Sequence, residues 1–238
     1  MVDSFEEARR AVEKVDGWMT DDQARRLWDR ATALRSGDQI VEIGSFRGRS
    51  TVILASAAPA GVGVFAIDPH AGNDRGPQEI DGYEEEAAVD HDVFHENLRA
   101  AGVNERVQHV GSFSQDALGA VEGDVDLLYI DGAHRFEPAL ADIRVWGGRV
   151  APDGTMLIHD SFSAVGVTLA ILRALVFGRR FRYVGRSGSM TEYRRQFVTG
   201  IDRLRNAIAQ LAQLPWFLGN LTRKALIVAK IKRGPWPY

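Results

Sequence analysis

The feature that most constrains the fold is a series of short apolar segments separated by segments with helical spacing. Strands are predicted at residues 39–43, 63–67, 107–110, 125–130 and 154–158, with an edge strand at 181–184. Helices are predicted at residues 4–15, 21–34, 50–58, 93–101, 115–121, 138–147 and 165–175. Continuous apolar strands that alternate with helices are typical of a parallel sheet buried on both faces. We therefore predict a doubly wound α/β domain over residues 36–195, with N-terminal helices in residues 1–35 and a helical tail in residues 196–238.

The composition excludes several kinds of site. The chain has 238 residues, no cysteine and a formal net charge of -3. Without cysteine there is no disulfide, thiolate zinc site or thiol nucleophile. The small negative charge gives no general reason to expect nucleic-acid binding. The charged N-terminus differs from a secretory signal and no apolar run is long enough to span a bilayer, so we expect a cytoplasmic protein without an integral membrane segment.

Ligands of doubly wound sheets bind beyond the carboxyl ends of the strands. The first such end lies in VEIGSFRGRST, residues 41–51, where Gly44 and Gly48 are separated by three residues. This spacing lacks the close glycine pair of dinucleotide-binding proteins and the lysine of a P-loop. Glu42 suits a cationic group, and the N-terminus of the following helix suits a carboxylate. The stretch favours a ligand with an amino-acid portion, such as S-adenosylmethionine, and a plain tight turn is the alternative.

Two further strand ends fit a nucleoside. Asp68 follows the second strand, where a carboxylate can accept hydrogen bonds from ribose hydroxyls, although a turn aspartate before Pro69 is the simpler explanation. Residues 111–115, GSFSQ, follow the third strand, and their backbone and small hydroxyls could border an adenine. Such residues also make ordinary loops.

Acids and histidines follow the fourth and fifth strands. IDGAH places Asp131 and His134 after the fourth strand, and IHDS places His159 and Asp160 after the fifth. Neighbouring strands of a parallel sheet would bring all four together. Two adjacent carboxylates favour a shared cation, and oxygen ligands suit magnesium better than zinc. Helix caps and surface hydrogen bonds are the alternative roles.

Five segments resemble, in order and spacing, those of class I S-adenosylmethionine-dependent methyltransferases of the small-molecule O-methyltransferase kind. They are VEIGSFRGRST, FAIDPH, VGSFSQD, LLYIDGAH and GTMLIHDSF, within about residues 36–165. The resemblance implies a Rossmann-like, mostly parallel seven-stranded sheet with helices on both faces and the last strand antiparallel. It implies that Asp68 holds the ribose and that Asp131 lies beside the methyl donor. The methionine portion would contact Glu42, Gly44, Ser45, Gly48 and Ser50, and the adenine would border Ser112 and Ser114.

The same resemblance implies a metal and a base. In metal-dependent members an Asp after the fourth strand and an Asp-Asn pair after the fifth hold magnesium, and a lysine is the base. Asp131 and Asp160 match the two acids, Ser161 stands where the asparagine is usual, and His134 replaces the lysine. His159 is a second candidate for the catalytic base or a metal ligand.

The motif order and the C-terminal tail indicate the acceptor and the partners. The order IDGAH…IHD is similar to that of methyltransferases that act on sugars in actinobacterial pathways, so a sugar hydroxyl is the expected acceptor. The polar segment after Pro69 indicates a lid or a solvated insertion, in which Tyr83 or Phe94 could stack on a sugar. The tail indicates a homodimer or lid helix, and a membrane-surface helix is the alternative.

Three kinds of function remain from the sequence alone. The first is a magnesium-dependent O-methyltransferase that acts on a sugar, a catechol or a macrolide. The second is a nicotinamide-dependent oxidoreductase, which the missing glycine pair disfavours. The third is a non-catalytic nucleoside-binding protein, which the acids and His134 disfavour.

Overall fold

The computed structural model describes residues 4–71 and 89–229. The helices, numbered here in chain order, are α1 (Phe5–Ala11), α2 (Asp21–Thr32), α3 (Arg49–Ala57), α4 (Asp90–Ala100), α5 (Phe136–Arg149), α6 (Val165–Ala174), α7 (Gly200–Leu211) and α8 (Leu214–Val228). The strands are β1 (Gln39–Ile43), β2 (Gly63–Ile67), β3 (Val107–Val110), β4 (Val125–Ile130), β5 (Val150–Ile158), β6 (Arg182–Ser187) and β7 (Met190–Arg194).

The strands form one seven-stranded sheet in the order β3-β2-β1-β4-β5-β7-β6. The pairs from β3 through β5 are parallel, whereas β7 runs antiparallel to both β5 and β6. The chain order reverses between β1 and β4, so the carboxyl ends of these strands flank the crevice in which doubly wound folds bind ligands. The predicted fold class is confirmed.

Alternate strand residues enter two cores on opposite faces of the sheet. Ile40 and Leu127 pack with the helices α1 to α4. Val41 and Leu128 pack with α5 and α6. Because successive side chains of a strand point to opposite faces, a strand buried on both sides must be apolar throughout. The continuous apolar strand segments of the sequence have this cause.

The N-terminal helices are packed onto the sheet domain. Thr20 begins α2 with a capping box, in which its hydroxyl accepts from the N–H of Gln23 while Gln23 Oε1 accepts from the N–H of Thr20. Glu192 of β7 is buried and forms ion pairs with Arg26 and Arg30 of α2. These contacts fix α2 over the β5–β7 side of the sheet.

The two tail helices contact the same domain. Asn206 of α7 accepts from the N–H of Tyr183 at 2.7 Å and donates to the carbonyl of Phe181 at 3.1 Å. Lys224 of α8 donates to the carbonyl of Ser163 at 3.0 Å. The tail therefore covers the β6 edge with α7 and reaches the loop after β5 with α8.

The structure departs from the predicted elements in three places. The predicted helix at 115–121 is a 3-10 turn, Ala117–Ala120. The strand predicted at 154–158 begins at Val150, and the edge strand at 181–184 is one arm of a β6–β7 hairpin. The predicted lid and Tyr83 fall largely on residues 72–88, outside the described residues. None of the described helices is both long and apolar enough to cross a membrane.

Candidate active site

The carboxyl ends of four strands form a continuous row. Backbone N–H groups just past three strands donate to carbonyls of the neighbouring strand: Gly44 to Ile67, Asp131 to Ile43 and His159 to Ile130, at 2.8–2.9 Å. The N–H of Asp68 donates to Val110 at 3.2 Å. The predicted site residues after β1, β2, β4 and β5 are therefore neighbours along one edge of the sheet.

A cavity of about 1260 Å3 opens along this edge. It is larger than the cavities of about 300–1000 Å3 that usually hold small ligands, so it has room for a nucleoside and a second molecule. Of the predicted residues, its lining includes Gly44, Ser45, Ser50, Asp68, Ser114, Asp131, His134, His159 and Asp160. Glu42, Gly48, Ser112 and Ser161 are not among the described lining residues.

The two glycines of the first loop make room for protein atoms. Gly44 has φ +85°, and a Cβ there would lie 2.3 Å from the carbonyl oxygen of Asp131. Gly48 has φ +86°, and a Cβ there would lie 2.7 Å from Cδ1 of Leu98. Both positions need glycine for the left-handed backbone and for close packing. The two glycines therefore make room for neighbouring protein atoms, and close approach of a ligand explains only part of their spacing.

Glu42 lies one layer below the cavity. Its carboxylate is fully buried on the α3 side of the sheet and accepts hydrogen bonds from the hydroxyls of Ser50 and Thr51. Burial raises its pKa to about 8, although these two hydroxyls oppose the shift. Glu42 consequently positions the start of α3, where Ser50 lines the cavity.

Asp68 organises the loop on the β2 side. Its Oδ2 accepts from the N–H of Phe46 and its Oδ1 accepts from the N–H of His70, both at 2.8 Å. The nearby Ser45 is buried, and its Oγ has no hydrogen-bond partner among the described residues. A buried hydroxyl in a cavity wall is available to a ligand.

The β3 side of the cavity contains an acid that the sequence analysis missed. Ser114 donates to Asp142 of α5, and its carbonyl accepts from the indole N–H of Trp146 at 3.0 Å. Burial raises the pKa of Asp142 to about 6. Asp142 lies on the otherwise apolar face of α5, between Ala139 and Trp146, and an acid at that position of a helical pattern was the signal available.

Five polar residues meet between β4 and β5. Nδ1 of His159 lies 3.0 Å from Oδ1 of Asp131 and 3.7 Å from Oδ2 of Asp160. Nε2 of His134 lies 3.1 Å from Oδ2 of Asp160. The hydroxyl of Tyr129 donates to Oδ2 of Asp131 at 2.9 Å. The predicted convergence of Asp131, His134, His159 and Asp160 is therefore present.

The two histidines differ in environment. The His159 side chain is 3% exposed, and its Nε2 faces Oε1 of Gln23 at 3.4 Å. Burial alone would lower its pKa, but the carboxylates of Asp131 and Asp160 raise it well above the usual value. Both ring nitrogens face oxygen acceptors, which suits an imidazolium. The His134 side chain is 28% exposed and lines the cavity.

Asp160 combines strain with an unpaired oxygen. It has φ +52°, in the left-handed region that non-glycine residues rarely adopt. Burial alone would raise its pKa, but the charges of His159, His134 and Lys224 lower it. Its Oδ1 is buried and has no hydrogen-bond partner among the described residues.

The carboxylates fit the expected divalent cation better than Ser161 does. Asp131 and Asp160 offer hard oxygen donors on the cavity wall, and Oδ1 of Asp160 has a lone pair to give. The hydroxyl of Ser161 is instead fully buried, donating to the carbonyl of Ile158 at 2.9 Å and lying 2.7 Å from the hydroxyl of Thr191. Coordination by Ser161 would require it to leave both partners.

Other cavity residues come from parts of the chain without a recognised pattern. Trp18 stacks on Phe46 with ring centroids 5.6 Å apart, and both line the cavity. Leu221 and Lys224 of α8 line the opposite side. No local signal in the sequence identifies Trp18, Leu221 or Lys224, because their proximity to the site depends on how the terminal segments pack; Phe46 lies in the glycine loop already identified. Phe94, expected as a stacking surface for a sugar, is fully buried against His70 and His109, so that expectation was wrong.

Comparisons with known proteins agree with this geometry. A family model described as a methyltransferase domain, Methyltransf_24, matches residues 41–161, about half of the chain. Solved structures with related folds include the following three. Cofactor-bound Rv0187 from MTB is 20% identical with a TM-score of 0.57, over 81% of this chain and 89% of that one. An O-methyltransferase from Bacillus cereus in complex with SAH is 17% identical with a TM-score of 0.58, over 81% and 90%.

The third structure is TomG, an O-methyltransferase from Streptomyces achromogenes involved in tomaymycin synthesis, in complex with SAM. It is 20% identical with a TM-score of 0.55, over 83% of this chain and 90% of that one. At these identities the three structures support the fold, and the family model supplies the assignment. The chain therefore belongs to the methyltransferase-domain family and has the class I methyltransferase fold.

Proposed function

We propose that the protein transfers a methyl group from S-adenosylmethionine to a hydroxyl of a small molecule. The proposal depends on one observation: two groups of residues line the same cavity. One group is Ser45, Ser50 and Asp68, and the other is Asp131, His134 and Asp160. The first group suits an amino-acid nucleoside and the second suits deprotonation of an oxygen. The related structures of a Bacillus cereus O-methyltransferase and of TomG contain SAH and SAM, which supports this donor.

In this proposal different cavity residues bind different parts of S-adenosylmethionine. S-adenosylmethionine would supply an activated methyl carbon on a sulfonium. Asp68 would accept hydrogen bonds from the ribose hydroxyls, and Ser114 with Asp142 would border the adenine. Ser45 and the N-terminus of α3 would receive the methionine portion, because free N–H groups at a helix start favour a carboxylate.

His134 is the proposed base. Asp160 would orient its ring and stabilise the imidazolium that forms when His134 takes the acceptor proton. The acceptor oxygen would form a bond to the methyl carbon as the carbon–sulfur bond breaks. His159 would keep its proton, because it is buried between two carboxylates, and it would position Asp131 and Asp160.

Asp131 and Asp160 are the proposed magnesium ligands. A divalent cation held there would lower the pKa of the acceptor hydroxyl and orient it. His159 lies 3.0 Å from Asp131 and 3.7 Å from Asp160, so the cation would share both carboxylates with this ring. A chelator should abolish turnover and Mg2+ should restore it.

A sugar is the proposed acceptor, by the similarity of IDGAH…IHD to sugar methyltransferases. The specific candidate is 1-O-methylation of a 3-O-methylated mannoside, as in mycobacterial methylmannose polysaccharide synthesis. A catechol or macrolide-type natural product is the alternative. The acidic groups and the tryptophan of the cavity wall suit polyhydroxylated rings.

The test is transfer of a labelled methyl group from S-adenosylmethionine to a panel of partly methylated sugars, catechols and macrolides. His134→Ala should reduce kcat by about 10²–10⁴-fold, the usual contribution of a general base. His134→Lys should recover part of the rate, since the resemblance to metal-dependent O-methyltransferases implies a lysine base at this position. Full activity of His134→Ala would contradict the assigned role. Binding of NAD in place of S-adenosylmethionine would instead favour an oxidoreductase.

A further inference from the structure

The chain contains six histidines, and the proposed chemistry uses two of them. The other four are His70, His91, His95 and His109, here called the histidine cluster. The rings of His70 and His109 are stacked with centroids 4.8 Å apart. The ring of His91 lies 5.2 Å from that of His109 and 4.7 Å from that of His95. The cluster joins the loop after β2, the start of α4 and strand β3.

Three of these side chains converge closely enough to share an ion. One ring nitrogen from each of His70, His91 and His109 can be chosen so that all three lie within 4.8 Å of one another. Zinc–nitrogen bonds of about 2.0–2.1 Å place tetrahedral ligand atoms roughly 3.3 Å apart. Small side-chain rotations would therefore bring the three nitrogens to bonding distance.

Hydrogen bonds orient two of the rings as metal ligands are usually oriented. Nε2 of His70 lies 2.7 Å from the carbonyl oxygen of Phe46, and Nε2 of His109 lies 3.0 Å from that of Asp68. A carbonyl only accepts, so each Nε2 carries the proton and each Nδ1 keeps its lone pair in the neutral ring. Metal-bound histidines typically hold their second nitrogen in this way.

One further observation points to a ligand. Nδ1 of His70 is buried and has no hydrogen-bond partner among the described residues.

We propose that His70, His91 and His109 form a binding site for one transition-metal ion, with zinc as the natural candidate. Three imidazole nitrogens suit Zn2+, Co2+, Ni2+ or Cu2+, whereas Mg2+ requires oxygen ligands. The site is separate from the carboxylates of Asp131 and Asp160. Nε2 of His70 donates to the carbonyl of Phe46, and Nε2 of His109 donates to the carbonyl of Asp68. A bound ion would therefore stabilise the wall of the cavity around Asp68.

The experiment uses the full chain without a polyhistidine tag, since a tag would bind the same ions. Metal-free protein is titrated with Co2+, followed by its visible absorption, and Zn2+ is then added as a competitor. One strongly absorbing Co2+ per chain should bind and be displaced by Zn2+, whereas Co2+ held octahedrally by the carboxylates of Asp131 and Asp160 would absorb only weakly. His70→Gln and His109→Gln should each weaken binding at least about tenfold, because even loss of an outer-shell partner costs about 10–100-fold.

His91→Gln keeps the test decisive if the buried variants fail to fold, because His91 is exposed on α4. It too should weaken Co2+ binding at least about tenfold. His134→Gln, which removes a histidine outside the cluster, is the matched control and should bind Co2+ as the wild type does. Absence of Co2+ binding to the wild type would overturn the proposal. So would binding that survives His91→Gln and is lost in His134→Gln or Asp160→Asn.

The outcome is independent of the proposed function. Variants of the histidine cluster should still require Mg2+ for methyl transfer if the carboxylate proposal holds. A protein that binds Co2+ through the cluster but transfers no methyl group would support this inference and contradict the proposed function.

Discussion

Glu42 shows how a residue's environment can change the role that its sequence position indicates. An acid before a glycine loop suggests a contact to a cationic ligand, but the carboxylate is buried beneath the loop and bound by Ser50 and Thr51. The sequence identified the position, since Glu42 interrupts an apolar strand. It could not identify the direction of the side chain, because that depends on which face of the sheet α3 covers.

The raised pKa of Glu42 predicts a pH-dependent stability. The pKa of Glu42 is about 8 in the folded protein, compared with an ordinary value of 4.5. The folded protein therefore holds this proton more tightly than the unfolded chain, and the resulting stabilisation is fully present below pH 4.5. That stabilisation is lost as the pH rises from 4.5 to about 8, at up to about 1.4 kcal/mol per pH unit. Glu42→Gln should remove this dependence.

The measurement is the free energy of unfolding in urea at several pH values between 5 and 8. The wild type should lose stability relative to Glu42→Gln across this range. Glu13→Gln, at an exposed position of the N-terminal segment, should follow the wild type. Parallel curves for the wild type and Glu42→Gln would show that the carboxyl ionises normally.

At the scale of elements, one buried carboxylate makes the ion pairs between α2 and the sheet. Glu192 of β7 is 1% exposed, whereas its partners Arg26 and Arg30 have side chains that are 21% and 33% exposed. Loss of the arginines would leave a buried charge without partners, whereas loss of the carboxylate would leave arginines that can reach water. The two changes should therefore differ in cost.

The double substitution Arg26→Ala with Arg30→Ala should destabilise the protein by about 3–5 kcal/mol. Glu192→Gln should cost less, about 1–3 kcal/mol, because the arginines regain solvation. Chemical denaturation of both variants measures the difference. A larger loss in Glu192→Gln than in the double variant would contradict this explanation.

Element types followed from the sequence more readily than their pairing. Apolar runs predicted β1 to β5 because strands buried on both faces must be apolar throughout. Strand β7 carries Thr191, Glu192 and Arg194 and therefore gave no such signal. Its charged residues find partners only in the fold: Glu192 pairs with arginines of α2, and Arg194 donates to the carbonyl of Asp153. The same long-range packing places Trp18, Gln23 and Lys224 at the site, which no local pattern could predict.

For the whole molecule, the expected homodimer now has a defined candidate surface. Helix α7 buries Asn206, Ala207 and Gln210 against the sheet. Its other side exposes a row of apolar side chains, Ile201, Leu204 and Ile208, which are 54–59% exposed. We propose that this row pairs with the same row of a second copy, since exposed apolar rows favour burial.

Light scattering tests the dimer. The wild type should have twice the mass of the chain, and Leu204→Glu with Ile208→Glu should give monomers. Asp202→Lys, an exposed charge change beside the row, should leave the dimer intact. A monomeric wild type, or a dimer that survives the double substitution, would refute this interface. The double substitution of Leu204 and Ile208 leaves α8 in place, whereas deletion of the whole tail would remove it.

The central claim is that the methyl donor lies across the strand ends, with its ribose at Asp68. Calorimetric titration of S-adenosylmethionine into the wild type, Asp68→Ala and His134→Ala tests it most directly. We predict one donor per chain for the wild type, an affinity at least about tenfold lower for Asp68→Ala from the loss of charge-assisted hydrogen bonds, and nearly unchanged binding for His134→Ala. No binding to the wild type, or equal binding to a folded Asp68→Ala, would contradict the account.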